Sequence, residues 1–152
     1  MPLPEQLSLD RQLCLSLYSA TNALIRAYGP FLKPLGLTYP QYLVMMALWE
    51  AGPLTVSDIC DKTRLETGTV TPLLKRLEAK GLLQRNRSLV DERVREIVLT
   101  EAGRRLQEPA AEVPIQMACL SFLTPEQGGQ IKALSETLFD NLKRHEDRVD
   151  PV

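Results

Sequence analysis

The feature that most restricts what this chain can fold into lies at Gly81, where the spacing of apolar residues changes from helical to extended. Upstream, residues 55–63 read as a short helix with Val56 and Ile59 turned inward. Arg64-Leu65-Glu66 reads as a turn, and residues 67–80 as a second helix capped by Thr67. Pro72 lies within that second helix and is expected near its first turn, because it leaves one backbone carbonyl unpaired. Gly81 stands where a helix stops in the left-handed conformation. Downstream, residues 82–87 and 94–99 read as two strands around a charged tip, Ser88-Leu89-Val90-Asp91-Glu92-Arg93. Helix, tight turn, helix and hairpin in that order make a mainly α chain with a small β-hairpin wing, a winged helix-turn-helix.

The flanking segments are helical. Residues 8–29 form one amphipathic stretch, which Gly29, Pro30 and Pro34 end or bend. Thr38-Tyr39-Pro40 opens a helix that runs to Trp49, and Ala51-Gly52-Pro53 turns the chain. Thr100-Glu101-Ala102-Gly103 starts another, interrupted by Pro109 and Pro114. Thr124-Pro125-Glu126-Gln127 is a cap, a first-position proline and an amide three residues after the cap. That last helix reads to His145, with a frayed tail after Asp147. At 152 residues a single domain over 1–152 is expected.

Charge is uneven. Residues 62–95 hold nine basic and four acidic side chains, a net of +5, so the rest carries −6 within a total of −1. A local basic patch is the footprint of a polyanion partner. A solvated face is the plainer reading of charge alone. The helix-turn-helix favours DNA, because the second helix of such a unit enters the major groove with its N-terminal residues facing base edges. Here those residues are Thr67, Gly68, Thr69 and Thr71, followed by Pro72 and by Lys75 and Arg76, which can reach phosphates or guanine. Arg85 and Arg87 add cations on the first strand. At the tip, Arg93 suits the narrow minor groove. Asp91 can hold its guanidinium extended through a forked hydrogen bond.

Other classes find little support. The N-terminus lacks a signal peptide's basic start and apolar core, and the run from Leu43 to Trp49 is too short to span a bilayer. A cytoplasmic protein with no membrane partner is expected. Cys14, Cys60 and Cys119 have no metal spacing, and His145 has no ligand cluster, so neither metal nor cofactor is expected. Cys14, Tyr18, Thr21, Ile25 and Tyr28 recur at spacings of four and three, which puts them on one helical stripe. A packed amphipathic core explains such a stripe. So does a reactive sulfur: a phenol O–H donating to it favours the thiolate, and the thiolate attacks peroxide oxygen.

The chain resembles the MarR family of winged-helix regulators over nearly its whole length. The resemblance is carried by Leu54-Thr55-Val56, by the run from Thr67 to Glu78, by Gly81-Leu82, by Asp91-Glu92-Arg93 and by Leu99-Thr100-Glu101-Ala102-Gly103. It implies a homodimer built from residues 8–34 and 100–147, with residues 54–99 as the DNA-binding lobe. The partner implied is double-stranded DNA with a pseudo-palindromic operator, and the implied effect is repression. Within the family, Leu13 to Ala20, Leu37 to Leu43 and Leu48-Trp49-Glu50 are similar to the organic-hydroperoxide regulators, OhrR. That similarity implies an organic hydroperoxide as inducer and Cys14 as its target. It also implies that Tyr28 and Tyr39 hydrogen-bond the sulfur from across the dimer, with Tyr18 near the pocket. Cys119 looks like the second cysteine of the two-cysteine members, which implies an intersubunit disulfide with Cys14. Tyr42 reads as packing and Cys60 as core.

Three other readings stay open at this level. One is a regulator of the same fold released by a phenolic or lipophilic ligand. A second is a thiol peroxidase using Cys14, although no recycling motif is present, so an enzyme is not expected. A third is a pure protein-interaction module.

Overall fold

Threonines begin four of the helices. Thr38 caps α2 (Tyr39–Ala51): its hydroxyl accepts from the Gln41 N–H, and the Gln41 amide oxygen accepts from the Thr38 N–H. Thr55 and Asp58 repeat this reciprocal pair at α3 (Val56–Thr63). Thr124 and Gln127 repeat it at α8 (Pro125–Val149). At α5 (Glu101–Arg105), Thr100 accepts from the Gly103 N–H. Each cap gives a partner to first-turn donors that the helix itself leaves unbonded.

The computed structural model describes residues 4–88, 90–91 and 93–149. The chain divides into two units between Met117 and Ala118. In the first unit, two 3₁₀ turns, Glu5–Leu7 and Leu9–Arg11, precede α1 (Leu13–Leu32). Helix α1 runs through Gly29 and Pro30, where the sequence suggested an end. A proline removes one ladder bond, here to the Arg26 carbonyl, and one bond is not enough to stop a packed helix. The stop comes after the 3₁₀ turn Lys33–Leu35, at Gly36, whose φ of 66° is left-handed. Helix α4 (Thr67–Ala79) likewise runs through Pro72, its sixth residue and therefore deeper than its first turn. The bond lost there belongs to the carbonyl of exposed Gly68, which water can reach. Thr67 is not the cap. Glu66 holds that position without a side-chain bond, while its carbonyl accepts from Thr69 and Val70.

The wing is an antiparallel pair, β1 (Leu83–Arg87) and β2 (Arg95–Leu99), with Leu83 opposite Leu99 and Arg87 opposite Arg95. Leu54 adds a one-residue third rung through two bonds to Ile97, at 3.2 and 2.7 Å. After the wing come α5, α6 (Gln107–Ala110) and α7 (Glu112–Cys119). Their breaks follow the prolines by a simple rule. Pro109 and Pro114 cannot bond the carbonyls four residues back, Arg105 and Ala110, and those are the residues at which α5 and α6 end.

The core of the first unit gathers Val44, Met45 and Leu48 of α2, Ile59 of α3, Val70, Leu74 and Leu77 of α4, and Leu83 and Ile97 of the wing. Tyr42 is buried among them, as its packing role requires. The second unit is dominated by α8, which continues past His145 to Val149 and buries no residue. The last three residues of the tail, and tip residues Leu89 and Glu92, lie outside the described residues. Among the described residues, no helix is long and apolar enough to cross a membrane.

Candidate nucleic-acid interface and thiol site

The helix-turn-helix owes its geometry to a strained corner. Arg64 takes a left-handed φ of 58°, and the Thr63 hydroxyl bonds back to the Ile59 carbonyl at 2.6 Å. The chain then enters α4 with Val70, Leu73, Leu74 and Leu77 buried. The opposite face is open: Thr67, Gly68, Thr69, Pro72, Lys75 and Arg76 are exposed, and Thr71 is half-buried. Six of the seven expected groove residues on α4 therefore lie on solvent. Thr67 also faces Cys60 across the turn, with Oγ1 and Sγ 3.7 Å apart. Cys60 is half-buried against the core.

On the wing, alternation puts Leu83, Arg85 and Arg87 on one face with Arg95 and Ile97, and distance from the core decides which of these cations is covered. Leu54, Ile97 and Arg85 lie side by side in one row, and Ile97 is fully buried. Arg85 therefore projects from the core-facing side. Its Nε and Nη2 are buried with no hydrogen-bond partner among the described residues, and Glu78 Oε2 of α4 is 3.9 Å from Nε. Arg85 is set apart from Arg87, Asp91, Arg93 and Arg95, all of which are exposed. At the tip, the Asp91 carboxylate accepts from the backbone N–H of Arg93 at 2.9 Å, and the Asp91 carbonyl accepts from the Val94 N–H. Asp91 thus shapes the turn that presents Arg93, a different contact from the guanidinium fork expected of it. Buried Ser88 braces the same turn by accepting from the Val90 N–H.

The thiol stripe is resolved into two ends. Cys14 is the second residue of α1 and is exposed, with Tyr18 one turn on and also exposed. Tyr28 lies fourteen residues from Cys14, about 21 Å along a helix axis. Its ring meets that of Tyr39 at 4.9 Å between centroids and that of Tyr42 at 6.3 Å. Burial raises the Tyr39 phenol above its ordinary value of 10.0, and neighbouring Tyr28 adds to this. Tyr39 therefore keeps its O–H as a donor throughout the neutral range. One chain cannot bring Cys14 to the Tyr28–Tyr39 pair. Cys119 closes α7 and is exposed.

Beside the tyrosines, an open cleft of about 420 Å³ is lined by Tyr42, Met46, Trp49, Ala110, Ala111 and Pro114, among others. Among the described residues, no group of histidine, cysteine and carboxylate side chains is placed to hold a metal ion. Nothing in the local sequence marks Leu54 as part of the wing or Ser88 as a brace. Lys80, at the end of α4, reads from sequence only as charge.

With that geometry in hand, likeness to known proteins becomes informative. A model of the MarR family matches residues 37–94. The organic hydroperoxide resistance transcriptional regulator of Bacillus subtilis is 41% identical over 138 residues, covering 91% of this chain and 94% of the relative. Reduced AbfR bound to DNA superposes with a TM-score of 0.75 at 37% identity, over 92% of this chain and 96% of that one. A disulfide-formed AbfR superposes at 0.61 with 36% identity, over 89% and 95%. AbfR comes from Staphylococcus epidermidis.

Proposed function

The chain belongs to the MarR family of transcriptional regulators, and from that premise we propose that it is a homodimeric repressor of double-stranded DNA, released when an organic hydroperoxide oxidises Cys14. In this reading two copies of α4 lie in successive major grooves, about 34 Å apart, and read a pseudo-palindrome. Thr67, Gly68, Thr69, Thr71 and Pro72 approach the bases, while Lys75, Arg76 and Arg87 hold phosphates. Arg93 enters the minor groove from the turn shaped by Asp91. Arg85 orients the wing against α4.

The observation that carries the sensing half is the separation along α1. The phenols of Tyr28 and Tyr39 are paired, but their own Cys14 is about 21 Å away along the helix axis. A sulfur held by this pair is therefore the partner's, and the site is complete only in the dimer. Tyr18 stands one turn from its own Cys14 and closes the pocket from that side. The thiolate attacks the distal oxygen of ROOH. An S–O bond forms and the O–O bond breaks; the departing alkoxide takes from water the proton that the thiol gave up on ionising and leaves as ROH, so that thiol and ROOH become sulfenic acid and alcohol. The thiol of Cys119 of the partner subunit then displaces water and forms the intersubunit disulfide. Sulfurs bridge only when their Cα atoms come within about 7 Å. Dragging the dimerisation helices into that range alters the spacing of the two recognition helices.

A DNA-shift titration tests this. Reduced protein retains a duplex selected from a randomised library, loses it on adding cumene hydroperoxide, and regains it with dithiothreitol. On non-reducing gels the covalent dimer is absent from Cys14→Ser and Cys119→Ser. A dimer band surviving in Cys119→Ser overturns the pairing. The cleft beside Trp49 favours a second reading, release by a small apolar or phenolic ligand. Release by a phenol from Cys14→Ser, with no response of the unmodified protein to peroxide, selects that reading instead.

A further inference from the structure

Lys80 ends the helix proposed to read DNA, and its ammonium reaches across to the elbow that precedes α2. There it donates to the Gly36 carbonyl and, at 3.1 Å, to Gln41 Oε1. These partners are 44 and 39 residues away in sequence. Both sides of the bridge are built stops. At the end of α4, Gly81 has a φ of 72°, its N–H bonds Glu78, and the Leu82 N–H bonds Leu77. At the elbow, Gly36 has a φ of 66°, its N–H bonds Lys33, and the Leu37 N–H bonds Leu32. Two glycine-closed helix ends are thus joined by one cation, which suits the negative end of each helix.

The acceptor on Gln41 is unusual in its own right. Gln41 is 2% exposed, one of two buried polar residues in the chain's described part. Its Oε1 already accepts from the Thr38 N–H in the α2 capping box. One buried oxygen therefore serves both the start of α2 and the end of α4. Tyr39, whose ring packs at a tilt against that of Tyr28, is the first residue of that same α2 turn. Tyr39 and the oxygen that holds Lys80 thus belong to one helical turn.

We propose that Lys80 and Gln41 are positioning residues that couple the Tyr28–Tyr39 elbow to the DNA-reading helix, so that displacement at the phenols is felt by α4. The part concerning peroxide rests on the sensing mechanism above, whereas the coupling itself does not. Two arms of one experiment separate them. In the first, amide exchange is followed at residues 36–41 of reduced protein with and without the selected duplex, in the unmodified chain and in Lys80→Met. Coupling is reciprocal, so DNA held by α4 should slow exchange at the elbow by about tenfold, and by less than about twofold in the variant. Elbow exchange that ignores DNA in the unmodified chain overturns the proposal, whether or not the variant folds.

In the second arm, DNA affinity is compared before and after cumene hydroperoxide. Lys80→Met should bind in the reduced state within about threefold of the unmodified chain, while its loss on oxidation shrinks by about tenfold. Gln41→Glu, which keeps an acceptor for both Lys80 and Thr38, should respond like the unmodified chain. An equal response in Lys80→Met overturns the coupling. An unmodified chain that ignores peroxide removes the sensing mechanism, and the first arm then decides the coupling alone.

Discussion

Gly103 shows how much a single missing side chain can settle. A Cβ there would stand 2.0 Å from the Leu82 carbonyl oxygen and 3.2 Å from Leu99 Cδ2. The close approach lets α5 leave the wing directly, and Trp49 Nε1 donates to the Gly103 carbonyl at 2.9 Å. Because the obstacle is backbone, Gly103→Ala should cost about 3 kcal/mol in a denaturant melt, at the upper end of overpacking. Loss under about 1 kcal/mol means the α5 junction yields more easily than drawn. Tyr39 is the chemical counterpart in the proposed sensing mechanism, where it donates to the sulfur of the partner. Removing a hydrogen bond to a charged sulfur costs about 1.5 kcal/mol, so Tyr39→Phe should slow Cys14 oxidation roughly tenfold, measured by stopped flow. The raised phenol has a sign as well. The folded state holds that proton more tightly than the unfolded state, so stability is unaffected below 10.0 and falls as pH rises above it. The sequence marked Tyr39 through its company, but the value of Gly103 depends on a carbonyl 21 residues away and could not be read there.

At the scale of elements, the helix starts closed by a capping box were legible, whereas Thr67 proved not to cap α4 and α1 begins at Leu13 rather than at residue 8. Thr-Tyr-Pro-Gln at 38–41 and Thr-Pro-Glu-Gln at 124–127 spell out capping boxes because every partner lies within three residues. Helix α3 follows the same rule, and Thr55→Ala should destabilise by about 1 kcal/mol. The side-chain and backbone bonds from Thr55 hold the Asp58 carboxyl below its ordinary 3.8. The contribution of Asp58 is therefore present above pH 3.8 and fades below it, so acid should narrow the gap between Thr55→Ala and the unmodified chain. Helix ends and prolines were harder to read. Pro30 and Pro72 sit inside helices because packing of Leu32, Val70 and Leu73 outweighs one lost bond each, and packing is a tertiary fact. The wing divides in the same way. Its strands and tip were legible, but the inward turn of Arg85 depends on Leu54 pairing with Ile97, 43 residues on. Arg93→Ala should weaken DNA binding and reduce the slope of log affinity against log salt by about 0.9, with unchanged melting. Arg85→Met should leave that slope alone. A slope that moves equally in both variants returns Arg85 to the DNA-facing set.

At the scale of the molecule, the chain exposes more apolar surface than a monomer keeps. Leu9, Leu13 and Tyr18 are 71%, 64% and 70% exposed. On α8, Ile131, Leu134 and Leu142 form one stripe, and no residue of its 25 is buried. A four-turn or longer amphipathic helix without a buried face gains little from its own chain, because helical stability comes mainly from packing that face. Patches of this extent mark association surfaces. The same surfaces explain why the proposed thiol site was only half legible from sequence. Periodicity placed Cys14 and Tyr28 on one stripe, yet only the length of α1 shows that a single chain cannot use them together. In the proposed mechanism dimerisation serves DNA reading as well as sensing. Linking two half-site contacts raises avidity by about 10²–10⁴, so a monomer should bind one operator that much more weakly. Leu134→Lys places a charge in the middle of the α8 stripe and should give a folded monomer in sedimentation, with melting of the winged lobe retained. Its affinity for the selected duplex should fall by at least about a hundredfold, and no covalent dimer should form with cumene hydroperoxide. A Leu134→Lys protein that sediments as a dimer removes α8 from the association surface. One that is monomeric yet still forms the covalent dimer shows that oxidation of Cys14 does not need the preformed partner, which overturns the dimer-completed site.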